Sequence, residues 1–118
     1  MKFLLIDDDA PFLKSLQLIV ESLGHSADCA ATADEGAALL STHPYDISLV
    51  DYAMPGKSGL WFMKYADIPA STKVLLMTGE VDRTVIKEMF DVGVCGYLIK
   101  PFNADELAHH IDFHTQQA

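Results

Sequence analysis

Basic residues are scarce in this chain of 118: Lys and Arg number 8 against 17 Asp and Glu, a formal charge of −9. No run of Lys or Arg offsets that balance, so nucleic acid and anionic membrane surfaces are poor partners. Cysteine is nearly missing. Cys29 and Cys95 sit among apolar neighbours at no metal-type spacing, and both read as buried free thiols rather than disulfide or zinc ligands. No apolar segment approaches bilayer-spanning length. One Lys and a short apolar stretch before three aspartates do not make a signal peptide, so a reducing cytoplasm is the expected setting. Repeats, low-complexity tracts and linkers are also missing. With 50% of its residues apolar, the chain can bury one real core, and residues 1–118 read as a single domain.

What is present is a set of short apolar runs, each ending in a residue suited to phosphate or metal. Phe3-Leu4-Leu5-Ile6 leads into Asp7-Asp8-Asp9, Ile47-Ser48-Leu49-Val50 into Asp51, Val74-Leu75-Leu76-Met77 into Thr78, and Tyr97-Leu98-Ile99 into Lys100. Strand-like runs separated by helix-length segments imply a parallel sheet covered on both faces. Between them the helix signals are specific. Asp9 can cap a helix with Pro11 in its first turn, carrying Leu13, Leu16, Val20 and Leu23 and ending at Gly24. Thr32 and Glu35 form a capping-box pattern, Ser58 opens a helix with Trp61, Phe62 and Tyr65, and Gly93 closes one carrying Val85, Met89 and Val92. Asn103 caps the last, with Leu107 and Ile111 facing inward. The stretch from Ala27 to Ala31 is a weak second strand. Five β–α units with right-handed crossovers require helices on both faces: a three-layer, doubly wound α/β fold with five strands and five helices.

In such a sheet, ligands collect at the carboxyl ends of the strands. Asp7, Asp8 and Asp51 would then meet, and carboxylates that close repel unless a divalent cation neutralises them. Hard oxygen donors favour Mg²⁺. The bland alternative is that the aspartates only cap the first helix, and for Asp9 that is the preferred reading. Asp51, beside a cation and before an irregular loop, is a plausible nucleophile toward phosphorus. Thr78, followed by the side-chain-free Gly79, could donate to a phosphoryl oxygen, although a Thr ending a strand is commonly a turn residue. Lys100 could be a solvated strand end, or an ammonium pairing with carboxylates at rest and with phosphate after transfer. A cis bond to Pro101 would aim it inward; sequence leaves that open.

Taken together, Phe3 to Asp9, Ser48 to Asp51, Met54-Pro55-Gly56, Leu76-Met77-Thr78 and Gly96 to Phe102 resemble the receiver domain of two-component response regulators, in order and spacing over nearly the whole chain. The resemblance implies a flavodoxin-like sheet of order 2-1-3-4-5. It implies that Asp51 accepts a phosphoryl group from a sensor histidine kinase or phosphotransfer protein. Asp7, Asp8, Asp51 and the carbonyl of Ala53 would hold Mg²⁺, while Thr78 and Lys100 would contact the phosphoryl oxygens, with Lys100–Pro101 cis. Tyr97 would be the switch aromatic that moves with Thr78. The face of the fourth helix, fifth strand and fifth helix would report the state to a partner or output domain. Ala53 and Glu80 would flank the entrance for attacking water and tune phosphate lifetime. On this reading the chain is a signalling switch, an enzyme only in catalysing its own phosphotransfer and autodephosphorylation.

Phe90 and Phe113 fall on the outer sides of their helices and hint at a homodimer or partner surface. His110 and His114 share a helical spacing that can bind metal, but without partner acids they read as helix-end histidines. A Mg²⁺-dependent phosphohydrolase of the haloacid-dehalogenase type competes on the strength of Asp7-x-Asp9, yet Ala10-Pro11 follows where that motif differs and no cap segment is present. A degenerate receiver would have to lack an acceptor, metal acid or lysine, and none is lacking.

Overall fold

The computed structural model describes residues 1–115. Its elements alternate strictly: β1 (Lys2–Ile6), α1 (Ala10–Ser22), β2 (Ser26–Ala30), α2 (Ala33–Thr42), β3 (Ile47–Asp51), α3 (Gly59–Tyr65), β4 (Lys73–Thr78), α4 (Arg83–Asp91), β5 (Gly96–Ile99) and α5 (Ala104–Thr115). All strand pairs are parallel, and the order is β2-β1-β3-β4-β5. Gln116, Gln117 and Ala118, whose sequence fits a terminus or the start of a linker equally, lie outside the described residues.

Two cores flank the sheet. Phe3, Leu5, Leu49, Leu75 and Met77 pack against Leu13, Leu16 and Val20 of α1 and Leu107 and Ile111 of α5. From the other face Leu4, Ile6, Val50 and Leu76 pack against Leu40 of α2, Phe62 of α3 and Met89 of α4. The alternation of side chains along each strand feeds the two layers in turn, which is why strands buried on both faces read as continuous apolar runs. β2 is the exception, with the sequence Ser-Ala-Asp-Cys-Ala and mostly half-buried residues. It is an edge strand held by five registered pairs with β1 rather than by its own β propensity.

The sequence caps operate as expected. Asp9 Oδ1 accepts from Phe12 N at 3.1 Å, Thr32 Oγ1 from Glu35 N at 3.1 Å, Ser58 Oγ from Trp61 N at 3.3 Å, and Asn103 Oδ1 from Glu106 N at 2.8 Å. Asp82 caps α4 through Thr84 and Val85, a cap the sequence reading did not single out. Gly24 and Gly93 end their helices at φ 90° and 108°, a backbone region that favours glycine.

Two expectations need correction. Cys95 is exposed and Cys29 only half-buried, so neither is a buried thiol. Cys95 precedes β5, a sheet edge without a further strand to cover it; Cys29 belongs to the opposite edge, β2. His114 lies in the last turn of α5, as expected of a helix-end histidine, and is 8% exposed, its ring seated against the open face of Gly96. Glycine at position 96 makes that space, and only tertiary packing reveals it.

Candidate functional site

The carboxyl edge of the sheet collects the polar strand ends. Asp7 follows β1 and is 1% exposed; its N–H donates to the Ala30 carbonyl of β2 at 3.1 Å. Its Oδ1 accepts from Asp9 N at 2.9 Å, so the same residue ends the strand and orders the turn into α1. Asp51 is the last residue of β3 and is buried, whereas Asp8 is exposed. One carboxylate oxygen from each of Asp7, Asp8 and Asp51 lies within 4.8 Å of the others. Lys100, just past β5, reaches across the sheet to place Nζ 2.5 Å from Asp7 Oδ2 and 3.2 Å from Asp51 Oδ1. The Lys100–Pro101 peptide bond is cis.

Three carboxylates therefore face one ammonium, and ionisation of all three leaves two negative charges uncompensated. The electrostatics register this. Burial, followed by repulsion from Asp7, pushes the Asp51 carboxyl up from 3.8 to about 6, against the opposing pull of Lys100. The Lys100 ammonium is held above its ordinary range. Burial opposes that shift, and the hydrogen bond to Asp7 and the charges of Asp51 and Asp7 outweigh it. A divalent cation would bring the formal charge of the pocket to zero. The donor set, carboxylate oxygen alone, suits a hard ion such as Mg²⁺.

The remaining candidates sit around this pocket. Thr78 ends β4 and is buried; its hydroxyl donates to the Glu80 carbonyl at 3.1 Å, and its own carbonyl accepts from Lys100 N at 2.7 Å. Ala53 and Glu80 are exposed on the loops after β3 and β4. Tyr97 lies one strand away, half-buried on β5 opposite Leu76, its ring edge-on to Phe90 at 6.3 Å between centroids. Phe90 and Phe113 are exposed at 43% and 69%.

Two contributors escaped the sequence reading. A Cβ on Gly59 would stand 2.8 Å from the Asp51 carbonyl oxygen and 3.1 Å from Tyr52 Cα. Glycine is needed there so that α3 can start directly against the Asp51 backbone. The only sequence signal is a second glycine so soon after Pro55-Gly56. Phe12, on the first turn of α1, turns its ring face to Lys100 with Nζ 4.3 Å from the centroid. Helical periodicity alone assigns it no such role.

The model of the response regulator receiver domain family matches residues 3–112. The chain belongs to that family. The chemotaxis protein CheY of Pseudomonas aeruginosa is 30% identical, over 95% of this chain and 94% of its own length. The transcriptional regulatory protein DltR of Streptococcus agalactiae is 29% identical over 100% of this chain and 53% of its own length. The chain thus spans about half the length of the transcriptional regulators it matches. Among solved structures, chemotaxis protein CheY4 of Vibrio cholerae superposes with a TM-score of 0.89 at 26% identity, covering 95% of this chain and 96% of that one. A CheY-like receiver domain protein from Methanospirillum hungatei gives 0.90 at 27%, covering 96% and 91%. Receiver domains are phosphorylation-controlled signalling switches of two-component systems, so the phosphohydrolase alternative falls away. Among the described residues no helix is long and apolar enough to cross a membrane.

Proposed function

We propose that residues 1–118 form one receiver domain in which Asp51 accepts a phosphoryl group from a sensor histidine kinase or phosphotransfer protein in the cytoplasm. The observation that carries the reading is the charge arrangement: Asp7, Asp8 and Asp51 within 4.8 Å, with Lys100 bridging Asp7 and Asp51. Asp7, Asp8, Asp51 and the Ala53 carbonyl would hold Mg²⁺. Bound there, the ion would shield the acceptor carboxylate and balance charge on the incoming phosphoryl oxygens. In the transfer the phosphorus–nitrogen bond of a phosphohistidine breaks, its electron pair stays with the imidazole, and an Asp51 Oδ–P bond forms. Lys100 gives up its contacts with the carboxylates, that to Asp7 included, for a phosphoryl oxygen. Thr78 exchanges the Glu80 carbonyl for another, and Tyr97 follows it inward. The new charge is the local event, and Thr78 with Tyr97 is the two-state element it biases.

The readout is the surface of α4, β5 and α5, where Phe90 and Phe113 are exposed. Its partner is an output domain, another protein or a second copy of the chain, and direct contact with nucleic acid or membrane is not part of the reading. Ala53 and Glu80 flank the route of the water that ends the signal.

Intact mass after incubation with acetyl phosphate and Mg²⁺ tests the proposal. Wild-type protein should gain one phosphoryl group, and Asp51→Ala or EDTA should prevent the gain. An equal gain in Asp51→Ala would move the acceptor elsewhere.

A further inference from the structure

The first turn of α1 and the lysine after β5 belong to one closed ring of contacts. Asp7 Oδ1 accepts from Asp9 N at 2.9 Å, and Asp9 Oδ1 accepts from Phe12 N at 3.1 Å. The Phe12 ring lies 4.3 Å below the Lys100 ammonium, which returns to Asp7 Oδ2 at 2.5 Å. Phe102, two residues beyond Lys100, packs edge-on against the Phe12 ring with 5.9 Å between centroids and planes at 89°. That contact gives the Phe12 ring an aromatic neighbour in the T-shaped arrangement such pairs favour. We propose that Phe12 is a positioning residue: its ring face, locked by the Asp9 cap below and Phe102 beside, holds the Lys100 ammonium over the acceptor carboxylate. This deepens the phosphoacceptor reading and rests on it.

The physical case is one of competition for a mobile charge. Lys100 hangs on a flexible four-carbon stem, and its two carboxylate partners pull it in different directions, Asp7 more closely than Asp51. A phosphoryl group arriving at Asp51 must take the ammonium from Asp7. An aromatic face attracts a cation through its quadrupole without specifying a direction within the plane. The ammonium can therefore slide across Phe12 from one oxygen to the next while remaining partly desolvated. A leucine would fill the same space without that attraction. The contact is partly screened from water, since the Lys100 side chain is 21% exposed, which places it in the stronger part of the range for such pairs.

The decisive experiment installs phenylalanine with increasing ring fluorination at position 12 alone. Fluorination leaves size nearly constant and weakens the quadrupole stepwise. Two readouts are taken: the initial rate of phosphoryl gain from acetyl phosphate in saturating Mg²⁺, and the NMR shift of the Lys100 ε-protons without phosphodonor. The rate should fall monotonically through the series, by roughly 2- to 30-fold in all, with every variant folded by far-UV circular dichroism. Phe12→Trp should retain the rate and Phe12→Leu should lose it. The Lys100 ε-protons should show an upfield ring-current shift that disappears in Phe12→Leu, and in a Lys100→Met background the fluorination series should be flat. A flat series in the parent, with normal phosphorylation, overturns the inference and leaves the acceptor reading intact. A ring-current shift in a protein that takes up no phosphoryl group overturns the acceptor reading, and the positioning role falls with it.

Discussion

Asp51 is the acceptor in the proposed function, and its protonation has a definite sign. Burial and Asp7 raise its carboxyl from 3.8 to about 6 in the folded chain. Between those values the unfolded chain has released a proton that the native state still holds. This group's contribution to stability therefore falls as pH rises from about 4 to above 6. Asp51→Asn should accordingly stabilise the metal-free protein at pH 7, by roughly 1–3 kcal/mol, in chemical denaturation. The same proton competes with a divalent cation. Mg²⁺ affinity, read by calorimetry, should be highest above pH 7 and weaken progressively as pH falls through about 6; a flat profile would show that Asp51 is not a ligand. Ser48 offers an independent check. Its hydroxyl is buried in β3 without a hydrogen-bond partner, so Ser48→Ala should be neutral or stabilising, by up to about 1 kcal/mol. A loss of more than that would mean the hydroxyl is satisfied. At this scale the sequence was most informative where a charged residue closed an apolar run, as at Asp51 and Lys100. Cys29 and Cys95 depart from the buried-thiol reading because their exposure depends on which strands lie at the sheet edges.

Among the elements, α3 is the one placed most tightly by the site. Gly59 brings its first turn against the carbonyl of Asp51, where any larger residue meets fixed backbone. Gly59→Ala should therefore cost about 1–3 kcal/mol. It should also slow phosphoryl uptake more than a distant variant of equal stability, measured by intact mass on the two proteins side by side. Equal rates would reduce Gly59 to a packing residue. Caps and terminal glycines made most helix boundaries readable: Asp9, Thr32, Ser58 and Asn103 each signal a start by chemistry confined to three residues. β2 was legible only weakly, because Ser-Ala-Asp-Cys-Ala becomes a strand through pairing with β1. The contact between Phe12 and Lys100 was not legible at all, since it joins α1 to β5 across the fold.

For the whole molecule, alternation and strand-end chemistry were enough to derive the doubly wound sheet, while the order β2-β1-β3-β4-β5 came from the resemblance and stands in the structure. That order places β1 and β3 side by side, and thereby Asp7 next to Asp51. Gathering like charges this way stores repulsion that a bound dication would relieve. Millimolar Mg²⁺ should raise the melting temperature, with a stabilisation of about 2.7 kcal/mol at a hundredfold excess over Kd. Asp8→Asn should remove most of the shift, and an undiminished shift would place the ion elsewhere. Whether the same pocket also carries the phosphoryl group is decided most directly by chemical trapping. After incubation with acetyl phosphate and Mg²⁺, borohydride reduces an aspartyl phosphate to homoserine, which peptide mass mapping locates. Homoserine at position 51 alone is expected. Homoserine at position 7 or 8, or at no position despite a gain in intact mass, would contradict the assignment of Asp51 as acceptor.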